Sequence, residues 1–463
     1  MKYIRSVLAA ASLALLLPIN SVKAGNPIIQ THFTADPAPM VHDGVVYLYT
    51  SHDEEDAEGF KMLDWRLYSS TDMVNWTDRG VAASLKTFPW AVQSNDAWAP
   101  QVIERDGKFY LYVPISVAGS PKNVIAVAVA DKPEGPFKDV LGKPLVGPDE
   151  GYIDPTVAID DDGQAYLYWG NPNLWYVKLN RDMMSYSGPI HKVQQPADYQ
   201  EGPWFYKRNG HYYMAYASTC CPEGIGYAMS DRPEGPWVHK GKIMDPDNRS
   251  TGNHPGIIDY KGKPYLFGFH YELNFAMTPI HHERRSVNVT SFTYNADGTI
   301  PKQPWWNDKG VRQLAPIDPY QRVEAETIAW TSRIKRDRDR AYYWAPGVTT
   351  AQNDRVGVYV TRTTDRSYLK VEGVDFGKKG AKTFVASIAN ALPGTTMELR
   401  VDGVDGPLIG TLLVDNADAV GQWRGKKASV SGATGVRDLY IIFRGKQGGN
   451  QSLLDFDYWR FTH

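Results

Sequence analysis

The chain lacks most of the features that fix a function quickly. Only two cysteines occur in 463 residues, Cys220 and Cys221, and they are neighbours, so no disulfide framework holds the fold together. The pair forms either a strained vicinal disulfide or two thiols in a loop, and it is not expected to build a metal site by itself. Charge of one sign is missing too: 50 Lys and Arg stand against 52 Asp and Glu, a net of −2. That balance gives no electrostatic basis for nucleic acid or an anionic membrane as partner. No amphipathic helix of any length is visible in the first three hundred residues, so helical content there should be low.

Beyond the N-terminus no apolar run reaches membrane length. The N-terminus itself carries Lys2 and Arg5, an apolar run from Val7 to Leu17 and the small-residue site Val22-Lys23-Ala24, which together read as a secretory signal over residues 1–24. The run is too short to span a bilayer and no cysteine lies near it for a lipid anchor. A secreted or periplasmic, soluble and monomeric product starting at Gly25 is therefore expected.

What the chain has in quantity is aromatic residues, with 28 Tyr and 14 Trp, and they are organised as a repeat. Aromatic cores fall at Tyr47-Leu48-Tyr49, Tyr110-Leu111-Tyr112, Tyr166-Leu167-Tyr168, Tyr213-Met214-Ala215-Tyr216 and Tyr265-Leu266-Phe267. Each follows a turn: Asp43-Gly44, Asp106-Gly107, Asp162-Gly163, Asn209-Gly210 and Lys261-Gly262. Such a turn before a β-prone run signals an antiparallel hairpin. The copies recur about every 55 residues, the scale of one four-stranded propeller blade with its loops. Residues 25–305 are thus expected to form a five-bladed β-propeller. A second repeat, Asp131-Lys132-Pro133-Glu134-Gly135-Pro136-Phe137 and Asp231-Arg232-Pro233-Glu234-Gly235-Pro236-Trp237, reads as the outer turns of blades.

Eleven or twelve positions ahead of each core stand Asp36, Trp98, Asp154, Glu201 and His254, each followed within two positions by proline. Residues in one phase of a radial repeat point at one axis, so three carboxylates, a tryptophan and a histidine should converge there. Like charges held together raise one another's pKa, and such a cluster is unfavourable unless chemistry or a metal uses it. Inverting glycoside hydrolysis suits it: one carboxylic acid protonates the leaving oxygen, and another carboxylate activates water across the sugar ring. A third carboxylate near the acid raises its pKa and orients it.

After Tyr294 prolines at 301, 304, 316 and 319 suggest a linker over residues 306–322. From Val323 the aromatic repeat is gone. Short alternating segments such as Met397-Glu398-Leu399-Arg400-Val401 argue for a β-sandwich, of jelly-roll type, over 323–463.

The motifs Thr34-Ala35-Asp36-Pro37, Asp96-Ala97-Trp98-Ala99-Pro100, Tyr152-Ile153-Asp154-Pro155, Gln200-Glu201-Gly202-Pro203, Asn253-His254-Pro255-Gly256 and Arg284-Arg285-Ser286-Val287 resemble those of glycoside hydrolase family 43. The resemblance implies Asp36 as general base, Glu201 as general acid and Asp154 as the residue that tunes and orients the acid. It also implies Trp98 as a wall of the sugar pocket, Arg285 (Arg284 in the alternative) as a sugar contact, and His254 beside a bound calcium or a water cluster. The loop His52-Asp53-Glu54-Glu55-Asp56 is read as the pocket rim or as a solvated acidic loop.

The C-terminal part resembles carbohydrate-binding module family 6 through Val323-Glu324-Ala325-Glu326, Val374-Asp375-Phe376-Gly377 and Phe456-Asp457-Tyr458-Trp459-Arg460-Phe461. That resemblance implies a structural Ca2+ on Glu324, Glu326 and Asp457, with Trp423, or more weakly Tyr359, stacking a sugar. Asp455 departs from the asparagine usual there, which puts sugar binding in the cleft in question. Together the two halves look most like arabinoxylan arabinofuranohydrolases. The expected function is an α-L-arabinofuranosidase acting on plant cell-wall polysaccharide or its oligosaccharides. The alternatives are a β-xylosidase using the same carboxylates and a catalytically silent sugar-binding protein.

Overall fold

A computed structural model describes residues 25–120, 122–147, 151–248, 250, 253–332, 348–414, 421–446 and 452–463. The expected signal segment lies outside the described residues. Five antiparallel sheets follow one another along the chain. The first blade holds β1 (Phe33–His42), β2 (Val45–Asp53), β3 (Asp64–Ser70) and β4 (Trp76–Ser84). The second holds β5 (Gln101–Arg105), β6 (Lys108–Ser116), β7 (Asn123–Ala130) and β8 (Lys138–Asp139); the third β9 (Thr156–Ile159), β10 (Ala165–Trp169), β11 (Trp175–Leu179) and β12 (His191–Lys192). The fourth holds β13 (Tyr199–Arg208), β14 (His211–Ser218), β15 (Gly224–Ser230) and β16 (Val238–Met244), and the fifth β17 (Gly256–Tyr260), β18 (Lys263–His270) and β19 (Ser286–Ser291). Among the described residues the only α-helix is α1 (Glu272–Met277).

The aromatic cores are the second strand of each blade. Leu48, Leu111, Leu167, Met214 and Leu266 are all fully buried, as are Tyr49, Tyr112, Tyr168 and Tyr216. Strands sandwiched between neighbouring blades bury both faces, and each such side chain contributes about 1.5–3 kcal/mol. The turns before them explain the Asx-Gly signal. Asp43 and Gly44, Asp106 and Gly107, Asn209 and Gly210, and Lys261 and Gly262 all have positive φ, as a two-residue I′ hairpin requires. At Asp162-Gly163 only the glycine does, because the turn there is closed further out, by Asp160 N–H donating to the Gln164 carbonyl.

The second repeat locks blades together. The Tyr49 hydroxyl donates to the Pro133 carbonyl (2.6 Å), and Tyr168 does the same to Pro233 (2.5 Å), so an outer turn of one blade accepts from the core of the blade before it. The fifth blade has three strands of its own, and the N-terminal segment completes it. Ile28 N–H donates to the Val287 carbonyl and Thr34 N–H to that of Arg285 (both 2.9 Å), while the Asn26 side chain brackets Val289.

The C-terminal part is a two-sheet sandwich. Its short entry strands are β20 (Val323–Glu324), β21 (Thr327–Ile328) and β22 (Trp330–Thr331), followed by β23 (Thr349–Asn353), β24 (Gly357–Thr361), β25 (Tyr368–Asp375), β26 (Thr383–Ala389) and β27 (Thr395–Val401). The last are β28 (Leu408–Val414), β29 (Arg424–Ser429), β30 (Val436–Arg444) and β31 (Asp455–Thr462). One sheet runs β23-β24-β31-β26-β29 with β20 beside β31; the other runs β22-β25-β30-β27-β28. Phe376, Phe384, Leu399, Ile441, Phe456 and Trp459 fill the space between them.

Residues 306–322 run closely packed. Trp306 is buried in the propeller core, Leu314 N–H donates to the Asp72 carbonyl, and Ile317 bridges to Val374. β21 then pairs with β4 and makes a fifth strand on the first blade.

Candidate active site

The innermost strands of the first and fourth blades have broken ladders near their starts. Register shifts lie between Ala35 and Ala38 in β1 and between Glu201 and Trp204 in β13. Bulges of this kind re-aim side chains at sites. Asp36 (φ 49°) and Asp154 (φ 60°) both adopt the left-handed conformation, a local strain that persists only where the surroundings enforce it. The prolines that follow, Pro37, Pro100, Pro155, Pro203 and Pro255, all line a small cavity on the axis. Beside it opens a pocket of about 360 Å³. Asp36, Trp98, Asp154, Glu201 and His254 all line it, together with Phe60, Met62, Asn171, Glu223, Arg285 and the bonded pair Cys220–Cys221. The five phase-matched residues of the repeat therefore meet, as does Arg285.

The electrostatics differ from one carboxylate to the next. Asp36 is buried, which pushes its pKa up, but Arg285 and His254 outweigh burial and hold the carboxyl below its ordinary value. Arg285 Nη1 donates to its Oδ1 (3.0 Å) and the Ser51 hydroxyl to its Oδ2 (2.6 Å). Asp154 goes the other way: burial raises it, His254 opposes, and Glu201 and Asp36 add to the rise, leaving it at about 7. Its Oδ2 accepts from Gly202 N–H (3.1 Å), next to Glu201 in the chain.

His254 sits among all three acids. Its Nδ1 is 3.4 Å from Asp36, and its Nε2 is 3.9 Å from Asp154 and 3.7 Å from Glu201. Burial disfavours its charge, yet Asp36 and Asp154 raise its pKa to about 10, so it is an imidazolium at neutral pH. Gly202 is required beside it, since φ is +56° and a Cβ would stand 2.6 Å from the imidazole Cδ2.

Three residues escaped sequence reasoning, Glu223, Asn171 and Ser51, and a fourth, Asp53, expected only as part of the acidic rim loop, is instead fully buried in β2. Glu223, 1% exposed, accepts from Asn253 N–H (3.1 Å), and burial followed by the nearby Glu201 raises it to about 8. Asn171 donates its side-chain amide to Glu201. Asp53, fully buried at the end of β2, accepts from Arg285 Nε (3.0 Å), Nη2 (2.7 Å) and backbone N–H (2.7 Å), and Ser51 completes the set. None of them occupies a repeated phase, so spacing gave no signal for them. Arg285, expected as a sugar contact, lines the pocket with its donors turned to Asp53 and Asp36; Arg284 donates instead to the Ala57 carbonyl.

The module residues lie apart from this pocket. Trp423 and Tyr359 meet edge to face at 5.2 Å, near Asp455, which accepts from Thr361 and Asn390. Arg322 donates to both Glu324 (2.8 Å) and Asp457 (3.0 Å), and Glu326 Oε2 is buried with no hydrogen-bond partner. An all-oxygen set with one orphaned oxygen has the chemistry calcium uses. In this structure the guanidinium takes the cation's part for two of the three, and the trio is not among the convergent ligand groups of the described residues. Asp154, Glu201 and His254 do converge, at the place on the axis where a second calcium near His254 is expected.

Residues 24–300 match the family described as glycosyl hydrolases family 43, and residues 340–463 match the carbohydrate binding module (family 6). The chain is 33% identical to an arabinoxylan arabinofuranohydrolase of Bacillus subtilis (strain 168), across 99% of this chain and 96% of the relative. It is also 33% identical to the arabinoxylan arabinofuranohydrolase of Paenibacillus polymyxa, covering 94% of this chain and 74% of that protein. A crystal structure of the family 43 arabinoxylan arabinofuranohydrolase from Bacillus subtilis with cellotetraose aligns with a TM-score of 0.81 at 31% identity, over 96% of this chain and 99% of that one. A family 43 β-xylosidase/α-arabinofuranosidase from a compost metagenome, in a calcium-free form with xylotriose, aligns at 0.54 and 31%, over 61% of this chain and 97% of its own. An acid set gathered on a propeller axis and these full-length likenesses agree: the chain belongs to glycosyl hydrolase family 43 and carries a family 6 carbohydrate binding module.

Proposed function

We propose that this glycosidase is an exported, inverting α-L-arabinofuranosidase that removes arabinose branches from arabinoxylan. The observation that carries the reading is the placement of Asp36 and Glu201 against opposite ring nitrogens of His254, in a chain similar along its whole length to two arabinoxylan arabinofuranohydrolases. The imidazole between them bounds their separation at about 9 Å, within the upper limit of the ~6.5–9.5 Å that an attacking water needs. Asp36, kept ionised by Arg285 and Ser51, takes a proton from that water as it attacks the anomeric carbon. Glu201 gives its proton to the departing glycosidic oxygen on the other face. Asp154 and Glu223, both raised by burial, keep protons within reach of Glu201 near neutral pH. Trp98 walls the pocket, and its volume, at the small end of ligand sites, suits a branch sugar better than a long chain. Export rests on residues 1–24, and a structural calcium on Glu324, Glu326 and Asp457 belongs to the same reading.

A second reading, β-xylosidase, is favoured by sequence similarity to proteins named for both activities, such as the xylosidase/arabinosidase of Bacteroides ovatus, 31% identical over 59% of this chain. Chromatography of sugars released from arabinoxylan and from unbranched xylo-oligosaccharides separates the two. Arabinose from the polymer supports the first reading; xylose from the unbranched oligomers, with no arabinose from the polymer, replaces it with the second. Proton NMR during turnover tests inversion, with β-L-arabinose expected first.

A further inference from the structure

We infer that His32, His52 and Glu55 form a binding site for one divalent transition metal of the zinc type, outside the catalytic pocket. His32 precedes β1, His52 lies near the end of β2, and Glu55 stands in the loop that joins β2 to β3. His32 Nδ1 is 2.8 Å and His52 Nε2 is 3.5 Å from Glu55 Oε1, and the two imidazoles cross edge to face at 5.3 Å. Both histidine side chains are 5% exposed, while Glu55 is 32% exposed and leaves one side open to water.

Hydrogen-bond bookkeeping explains why a cation belongs there. The Thr350 hydroxyl has one proton, which it donates to Asp78 Oδ2 (2.5 Å), so its oxygen accepts from His32 Nε2–H (2.8 Å). In the same way Asp64, an acceptor only, takes the His52 Nδ1–H (3.0 Å). Both outer nitrogens are thereby committed as donors, so the inward His32 Nδ1 and His52 Nε2 face Glu55 and become ligands once a metal displaces the protons they hold toward its carboxylate. His32 Nδ1 meets Glu55 Oε1 at 2.8 Å, but His52 Nε2, buried and 3.5 Å from the same oxygen, makes only a long contact. An ion satisfies all three atoms at once.

The surrounding pattern is that of metal sites, in which each ligating histidine donates its other N–H to a carboxylate or similar acceptor that fixes the ring. Two imidazoles and one carboxylate suit zinc and its neighbours and fit calcium or magnesium poorly. Bonds of about 2.1 Å in tetrahedral geometry set ligand atoms about 3.4 Å apart; the two distances to Glu55 are 2.8 and 3.5 Å, and all three ligand atoms lie within 4.8 Å of one another. The ion would fasten the start of β1, the end of β2 and, through Thr350, the module to the loop that carries Phe60 and Met62 into the pocket. Its role is structural.

The test uses the full chain under non-reducing conditions, stripped by chelator and titrated with Co2+ and then Zn2+. One equivalent should bind with the intense visible absorption of tetrahedral cobalt, zinc should displace it, and the melting temperature should rise with free metal. Glu201→Gln, which breaks the convergent group on the axis, and Glu54→Gln, which breaks the neighbouring group of His52, Glu54 and Asp64, should each leave binding unchanged. Glu55→Gln and His52→Gln should abolish it, and Asp64→Asn should weaken it about 10- to 100-fold. Glu55 lies on a partly exposed loop, so its variant keeps the test valid if the histidine variants do not fold. No tetrahedral cobalt spectrum in the native chain, or the same spectrum in folded Glu55→Gln, overturns the assignment.

Discussion

Replacing Arg285 by methionine should move the acid limb of the pH profile, because Arg285 is the strongest of the groups that keep Asp36 ionised. The pair stands 3.0 Å apart, and two unit charges at that distance in an effective dielectric of 20 interact by about 5.5 kcal/mol. Water entering the vacated space and the remaining His254 charge offset part of this, so the realistic change is about one to three pH units. The sign is fixed by the direction of the perturbation. A base held below its usual value loses activity only at strongly acidic pH; without the guanidinium, burial dominates and protonation begins nearer neutrality. The measurement is kcat/KM against pH for an aryl arabinofuranoside, whose leaving group needs little acid assistance, so that the acid limb reports the base in the free enzyme. At a pH one unit below the new limb the variant should retain about a tenth of its own plateau. Asp53 loses its partner in the same substitution, at a cost of about 3–5 kcal/mol for a buried unpaired charge; circular dichroism therefore accompanies the kinetics, and Arg285→Lys, which keeps the charge, should show an intermediate limb. A folded Arg285→Met enzyme with an unmoved acid limb would refute the reasoning.

Glu201→Gln and Asp36→Asn should each lower kcat on arabinoxylan by at least about 10³-fold with little change in melting temperature, since neither side chain is part of the apolar core; either variant keeping most of its activity removes that residue from the mechanism. Thermal stability should fall as pH rises from about 5 to 9, because Asp154 (about 7) and Glu223 (about 8) bind protons in the folded state above the unfolded carboxylate range, and His254 (about 10) above 6.5. Calorimetry of Asp154→Asn with Glu223→Gln should show a flatter slope, and an unchanged slope contradicts the proton assignment. Chelator should lower the melting temperature of the module transition if Glu324, Glu326 and Asp457 hold calcium, and Arg322→Ala, which removes the competing cation, should strengthen calcium binding; identical melts with and without calcium remove that site.

The repeat made the pocket constellation legible because a propeller converts a period in sequence into an axis in space. Asp36, Trp98, Asp154, Glu201 and His254 share a pocket for that reason alone. Glu223 enters from the residue just before β15, Asn171 from the loop after β10 and Asp53 from the last position of β2, none of them in the phase of the repeat. Their roles depend on distances across blades, which periodicity does not encode. Arg285 shows the intermediate case. Its place at the pocket could be expected from sequence, but its partners could not, and those partners make it a support for Asp36. The closure of the ring was equally hidden, since residues 26–32 form no strand and close it only through bonds such as Ile28 N–H to the Val287 carbonyl and Asn26 to Val289.

The boundary between the halves is also displaced between sequence and structure. By pattern the aromatic repeat ends before residue 300 and the sandwich begins at Val323. Yet β21 lies on the first blade, where Thr327 and Ile328 pair with Thr77 and Trp76. An edge strand left open is a template for unwanted pairing, and here the module covers it. Asn75 strengthens the seam by exchanging two hydrogen bonds with the backbone of Glu372 (3.0 and 2.9 Å). Thr350 adds another to Asp78 (2.5 Å), on the blade that supplies Asp36 and Ser51 to the pocket. Cutting the chain at residue 322 would therefore strip a strand from the blade that holds Asp36, so the module supports the pocket mechanically whatever it binds.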